Sequence, residues 1–248
     1  MKTTLQVAIA STLIACSYPV VAEEPAPAAV EKPEPDYTLS ANVAVATDYL
    51  FRGISQTDNK PAVQGGFDFN HKSGFYAGVW ASNVDFGSAD DAKVEMDLYT
   101  GYSGTFLEHA SWNANVLYYL YPPNSSDNYQ ELIGTLGYDF GFVALNAGLA
   151  YSPDFFNGSG DGFYYSLGAT VPLPVDFKLG LLVGHQVIEK NSRFGTPDYT
   201  NYSVGVSREF VGVNFELSYQ DTDIRKSECF GGTDLCESRV VFKVSKKF

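Results

Sequence analysis

Asp48 and Arg52 fall on one phase of an alternating stretch, and Lys93, Glu95 and Asp97 on one phase of another. Charges spaced by two share one face of a β-strand, so each set would project into whatever that face encloses. Two chemistries fit. Opposite charges in a confined space pair, because an unpaired buried charge is costly. A ring of them can also form a constriction that sorts passing ions. The same phase adds Asp68, Glu131, Asp139, Asp176 and Glu216 to the acids and Lys178, Arg239 and Lys243 to the bases. The eight acids then outnumber the five bases, which predicts a mild preference for cations if the lumen is open.

Hydrolysis is the competing chemistry, and it needs a nucleophile within hydrogen-bond reach of a base. His71 and His109 fall in expected turns, while His185 lies on an outward face and the nearby Ser166 and Ser203 on an inward one. No dyad is expected, so no catalytic residue is assigned. No cofactor is expected. The acidic residues of the long connections (Asp85, Asp90 and Asp91; Asp154 and Asp161; Asp221 and Asp223) lack EF-hand spacing and read as solvated loops rather than a metal site. Cys229 and Cys236 form an even pair in an exported chain, which predicts one disulfide. No histidine lies close enough in sequence to complete a four-ligand zinc set with them. The chain carries 16 Lys+Arg against 29 Asp+Glu, a formal charge of −13, which argues against a nucleic-acid partner.

Export is read from the first residues. Lys2 precedes an apolar run from Leu5 to Ala15 that is too short to cross a bilayer as a helix but suits a secretory leader. The leader is expected to span residues 1–22, with Val20 and Ala22 at the small-residue cleavage positions. A second reading makes Cys16, after Leu13-Ile14-Ala15, a lipidation site. Residues 23–37 are rich in Pro, Ala and Glu and read as a disordered periplasmic lead-in.

From Thr38 to the terminus the sequence keeps a period of two. Leu39, Ala41, Val43, Val45, Tyr49 and Phe51 alternate with smaller or polar residues, as do Val94, Met96, Leu98, Thr100 and Tyr102 with Glu95, Asp97, Tyr99 and Gly101. About twelve such stretches occur over residues 38–248. Short connections alternate with long polar ones, the asymmetry of an outer-membrane barrel, and the mean hydropathy of −0.11 suits strands with one apolar face. The predicted fold is therefore all-β, a transmembrane antiparallel up-and-down β-barrel with periplasmic termini. Aromatics on the outward phase gather at two heights and are expected to form interfacial girdles. Phe69, Tyr102, Trp112, Phe140, Phe177, Phe210 and Phe248 mark one, and Phe51, Tyr151, Phe163, Tyr202 and Tyr219 the other. Residues 74–86 alternate in either phase. Trp80 is placed outward there, with Val84 and Phe86; pointed inward, it would be the constriction of the lumen.

The stretches TDYLFRGISQTDNKPAVQGGFDF (47–69), SGFYAGVWASNVDF (73–86) and EMDLYTGYSG (95–104) resemble the TorF-type family of proteobacterial porins. That resemblance implies an outer-membrane β-barrel with pore activity, and no catalytic or binding residue carries over with it. The expected function is a porin-like channel for passive diffusion of small hydrophilic solutes or ions. The alternatives are a closed structural or adhesion barrel acting through its outer loops, and an outer-membrane lipid hydrolase. Expected partners are outer-membrane lipid and lipopolysaccharide, the diffusing solutes, and the barrel-assembly machinery through the C-terminal strand.

Overall fold

A strand with apolar side chains on one face and small or polar ones on the other can present the first face to hydrocarbon only if its backbone N–H and C=O groups are all paired, which requires the sheet to close. The computed structural model describes residues 35–87 and 91–248. It is a closed antiparallel barrel of twelve strands. In chain order these are β1 (Tyr37–Ala46), β2 (Ala62–His71), β3 (Phe75–Asn83), β4 (Val94–Leu107), β5 (Ala110–Leu120), β6 (Tyr129–Asp139), β7 (Ala144–Ser152), β8 (Gly162–Pro172), β9 (Phe177–Ile188), β10 (Tyr199–Phe210), β11 (Val213–Thr222) and β12 (Arg239–Lys247). Each pairs with its sequence neighbour, and β1 closes on β12 through Asn42–Ala46 against Lys247–Lys243. Phe248 completes the seam: its N–H donates to the Ala41 carbonyl at 2.8 Å and its carbonyl accepts from the Ala41 N–H at 3.2 Å. The expected leader, Cys16 and most of the lead-in lie outside the described residues.

The outer face is apolar along every strand, with Leu39, Val63, Phe67, Leu132, Leu136, Leu167, Leu217 and Val240 all exposed. One end of the barrel has tight turns. Val211 and Gly212 join β10 to β11 with φ of 53° and 70°, the two positive values of a hairpin turn whose twist matches the strands. At Gly74, between β2 and β3, φ is +92° and an added Cβ would sit 2.2 Å from the Ser103 carbonyl, so the turn admits only glycine.

The other end carries six long loops, and there the structure departs from the alternation pattern. β1 stops at Ala46 instead of continuing to Arg52. Residues 47–61 turn into the barrel, where Leu50–Phe51 pairs with Ile54–Ser55 in a small ribbon. Arg52 and Gly53 form its tip with φ of 50° and 85°, so Arg52, which looks like one more strand position, opens a two-residue turn. An added Cβ on Gly53 would lie 2.6 Å from Thr222 Cγ2, so the ribbon tip packs directly against β11.

Apolar residues from all six loops meet over this end. Tyr49, Phe51, Val84, Ala92, Tyr121, Phe155, Phe156 and Phe194 pack with Tyr119 and Tyr129 of the barrel. Phe194 continues into a second cluster with Ile54, Tyr199, Ile224, Phe230, Leu235 and the cystine. The loop end is thus filled as a soluble core is filled.

The two faces make a stability prediction. Leu167→Lys, at the middle of β8 on the outer face, is expected to destabilise the barrel in lipid vesicles by about 2–4 kcal/mol. Thr170→Lys, on the inner face of the same strand, should change unfolding free energy by no more than about 0.5 kcal/mol. Denaturant titration of both variants measures the contrast.

Candidate functional site

The inserted ribbon brings the sequence-predicted charges together. Its tip delivers Arg52 between β6 and β9. There Nη2 meets Glu131 Oε2 at 2.7 Å and Nη1 donates to Gln186 Oε1 at 2.7 Å. The guanidinium also lies 4.2 Å from the centre of the Tyr164 ring on β8 and 4.6 Å from that of Phe51. Glu131 is 1% exposed and Gln186 fully buried. The Tyr119 hydroxyl on β5 donates to Glu131 Oε2 at 3.1 Å, fixing the carboxylate.

The rest of the loop grips other strands. The Tyr49 hydroxyl donates to Glu95 Oε1 on β4 at 2.8 Å, and its ring stands edge-on to Trp80 of β3 at 5.5 Å. Asp48 accepts from Ser55 Oγ at 2.7 Å and Thr57 Oγ1 at 2.8 Å. Its other oxygen lies 3.2 Å from Arg239 Nε of β12, an ion pair by distance without hydrogen-bond alignment. From the solvent side, the β11–β12 loop closes over the ribbon. Cys229 and Cys236 form the disulfide, the Leu235 carbonyl accepts from Ser55 N–H at 2.9 Å, and Thr222 Oγ1 donates to the Cys236 carbonyl at 2.9 Å.

Below the ribbon the inner wall is uneven. On β2–β5 it carries large polar groups: Asp68, which accepts from the Tyr99 hydroxyl at 2.5 Å, Asp97, Trp80, and Tyr76 bonded to Asn113 and Asn115. On β7–β10 it carries Gly148, Gly168, Gly180 and Gly205 with Ser166, Ser203 and Ser207. An added Cβ on Gly180 would meet nothing nearer than 3.9 Å, and the inward Asn146 and Thr170 are exposed. Open space therefore lies before Gly180, whereas an added Cβ on Gly148, Gly168 or Gly205 would meet Ser166, Asn146 or Ser218 within 3.0 Å. Near the turn end, Lys178, Ser207, Glu216 and Lys243 follow one another across β9 to β12.

Asp48, Arg52, Asp68, Glu95, Asp97, Glu131, Glu216, Arg239 and Lys243 all lie inside, but other placements change. Trp80 faces inward, because it pairs with Gly66 on one side and Asp97 on the other. Lys93 lies one residue before β4 and points to solvent, 3.3 Å from Asp85; the phase of a strand does not extend past its end. Phe51 leaves the outer girdle for the interior, where it meets Tyr119 edge-on. Asp176 sits in a tight turn with φ of 61° and is exposed, and Asp139 accepts from the Gly141 N–H of its own turn at 2.7 Å. The other girdle aromatics remain outward. Tyr151, Phe163, Tyr202 and Tyr219 lie towards the loop end, and Tyr102, Trp112, Phe140, Phe177, Phe210 and Phe248 towards the turn end. His185 pairs with Thr200, 3.1 Å from its hydroxyl, on the outer face. Gln186, Tyr164 and Tyr119 were not singled out as partners of Arg52; their inward phase was readable, their convergence was not. Glu209 also shares the inner phase, opposite Asn214.

A family model described as a bacterial protein of unknown function, Gcw_chp, matches residues 30–248; its description does not carry the TorF-type name. No curated protein matches the chain. Among solved structures, a KdgM porin superposes with a TM-score of 0.56 at 8% identity, over 84% of this chain and 98% of its own. A NanC porin gives 0.55 at 9%, over 85% and 99%. The COG4313 outer-membrane channel of Pseudomonas putida F1 gives 0.50 at 10%, over 89% and 100%. At such identities the likeness is one of fold.

The buried ion pair has a measurable consequence. Arg52→Ala strands the Glu131 carboxylate and should cost about 3–5 kcal/mol of barrel stability. The double variant Arg52→Ala/Glu131→Gln, which also removes the stranded charge, should recover much of that loss in the same denaturant titration.

Proposed function

We propose that this chain, which belongs to the Gcw_chp family of bacterial proteins of unknown function, is an outer-membrane channel for passive diffusion of small hydrophilic solutes, with its first loop seated as a plug. The observation that carries the proposal is the half-lined interior. Beneath the ribbon, a wall of glycine and serine faces a wall of carboxylates, tyrosines and asparagines inside an apolar cylinder, a polar lining that suits the passage of hydrophilic solutes. The fold likeness to two porins and a channel and the TorF-type resemblance of residues 47–104 support the same reading. The first and last strands, β1 and β12, begin and end at the turn end, which we assign to the periplasm, as in barrels whose long loops face outward. We assign delivery to the assembly machinery to the terminal strand, and contacts with lipid and lipopolysaccharide to the aromatic belts and the outer loops.

With Lys93 outside, Asp176 and Asp139 in turns and Glu209 added, acids still outnumber bases inside, so the proposed selectivity is for cations. A second reading, a closed barrel acting through its loops, is favoured by the apolar core that those loops share.

Planar-bilayer recording separates the two. Deleting residues 48–60 should give discrete conductance steps larger than those of the intact protein, with a reversal potential under a salt gradient that reports cation preference. A deletion variant that inserts but never conducts would establish the closed-barrel reading, and anion preference would refute the lumen assignment.

A further inference from the structure

The polar seat of Arg52 is built from barrel strands, with Phe155 of the β7–β8 loop 5.9 Å from the guanidinium. Glu131 comes from β6, Gln186 from β9 and Tyr164 from β8, with Tyr119 of β5 holding Glu131. The loop contributes the occupant and one ring, Phe51. A site on paired strands keeps its shape when a loop leaves it. Its partners also suit one kind of ligand. The two acceptors take two different nitrogens of the guanidinium, each at 2.7 Å, while an aromatic ring faces the cation at 4.2 Å. A planar, weakly hydrated fork satisfies all three at once, whereas a compact, strongly hydrated ammonium or an alkali ion does not. Gln186 is held by its own amide, Nε2 donating to the Val187 carbonyl at 3.3 Å, so Oε1 stays turned towards the cation.

We propose that this pocket is a binding site for organic cations bearing a guanidinium group, and that Arg52 is its built-in occupant. Withdrawal of the loop leaves Glu131 buried and unpaired, which is unfavourable. A free guanidinium compound entering from the lumen removes that penalty and shifts the loop towards its withdrawn state. That a solute of this class would unplug the passage rests on the channel reading above; the binding site itself does not.

The test is chemical rescue of purified Arg52→Ala, with ethylguanidinium chloride compared with ethylammonium chloride and potassium chloride at equal, low millimolar concentration. Ethylguanidinium should raise the melting temperature of Arg52→Ala, with a half-maximal concentration on the order of ten-fold below that of ethylammonium. It should have no such effect on Arg52→Ala/Glu131→Gln. If Arg52→Ala does not refold unaided, the folded fraction recovered in each salt is scored instead. Equal responses to the two organic cations, or rescue retained in the double variant, overturn the proposal. Bilayer recordings are kept separate: rescue without conductance in any variant would remove the channel reading and leave the site.

Discussion

The pairing requirement of the backbone in hydrocarbon governs everything else in this molecule. Each strand must find partners on both edges, and the β1–β12 seam is where that is completed, by Phe248 bonding both groups of Ala41. Once the cylinder is closed, one phase of each strand is committed to the outside and the other to the interior. The charge distribution follows from that commitment. Every acid and base on the inner phase shares one enclosed volume, so the two fates of such charges, pairing or facing water, are decided by depth.

Depth divides the interior into two materials. Towards the loop end, Tyr119 and Tyr121 stack on Tyr129, with Phe155 edge-on to Tyr129 and Phe86 edge-on to Tyr121, and the cation inserted among them, Arg52, is matched by a buried carboxylate. Here the charges pair, because little water reaches them. Towards the turn end, glycine and serine replace the aromatics on β7–β10, and Lys178, Glu216 and Lys243 line the inner wall half-buried. In the proposed channel these groups would meet solute first, and the Arg52 pocket last.

The loops explain why the inserted ribbon is orderly. Their composition is polar, yet Phe155, Phe156, Phe194 and Phe230 are spaced among Asp, Asn and Gly, and each turns inward. The Cys229–Cys236 bridge shortens the last loop so that it lies across the ribbon and supplies the Leu235 carbonyl to Ser55. The plug is therefore held from three sides: by the barrel wall at Arg52 and Tyr49, by the other loops through the aromatics, and by the cystine-bearing loop above.

By itself the sequence determined the closed barrel, its twelve strands, the alternation of short and long connections and the pairing of the two cysteines, because these depend on local periodicity and on which residue types a strand or turn accepts. Val94 to Tyr102 could be read without ambiguity, since large apolar and charged residues alternate strictly. Trp80 could not: its neighbours Ala77, Gly78, Val79, Ala81 and Ser82 fit either face, and only register against Gly66 and Asp97 turned it inward. Phe51 and Arg52 keep the period of two while belonging to the inserted ribbon, because its turn, Arg52 and Gly53 at positive φ, leaves no mark on hydropathy. What tertiary structure alone decided is the convergence of Arg52, Glu131, Gln186 and Tyr164 from four separate segments of the chain, up to 134 residues apart. Periodicity assigns a side chain to a face, but the stagger of strands around a cylinder determines which inward residues meet.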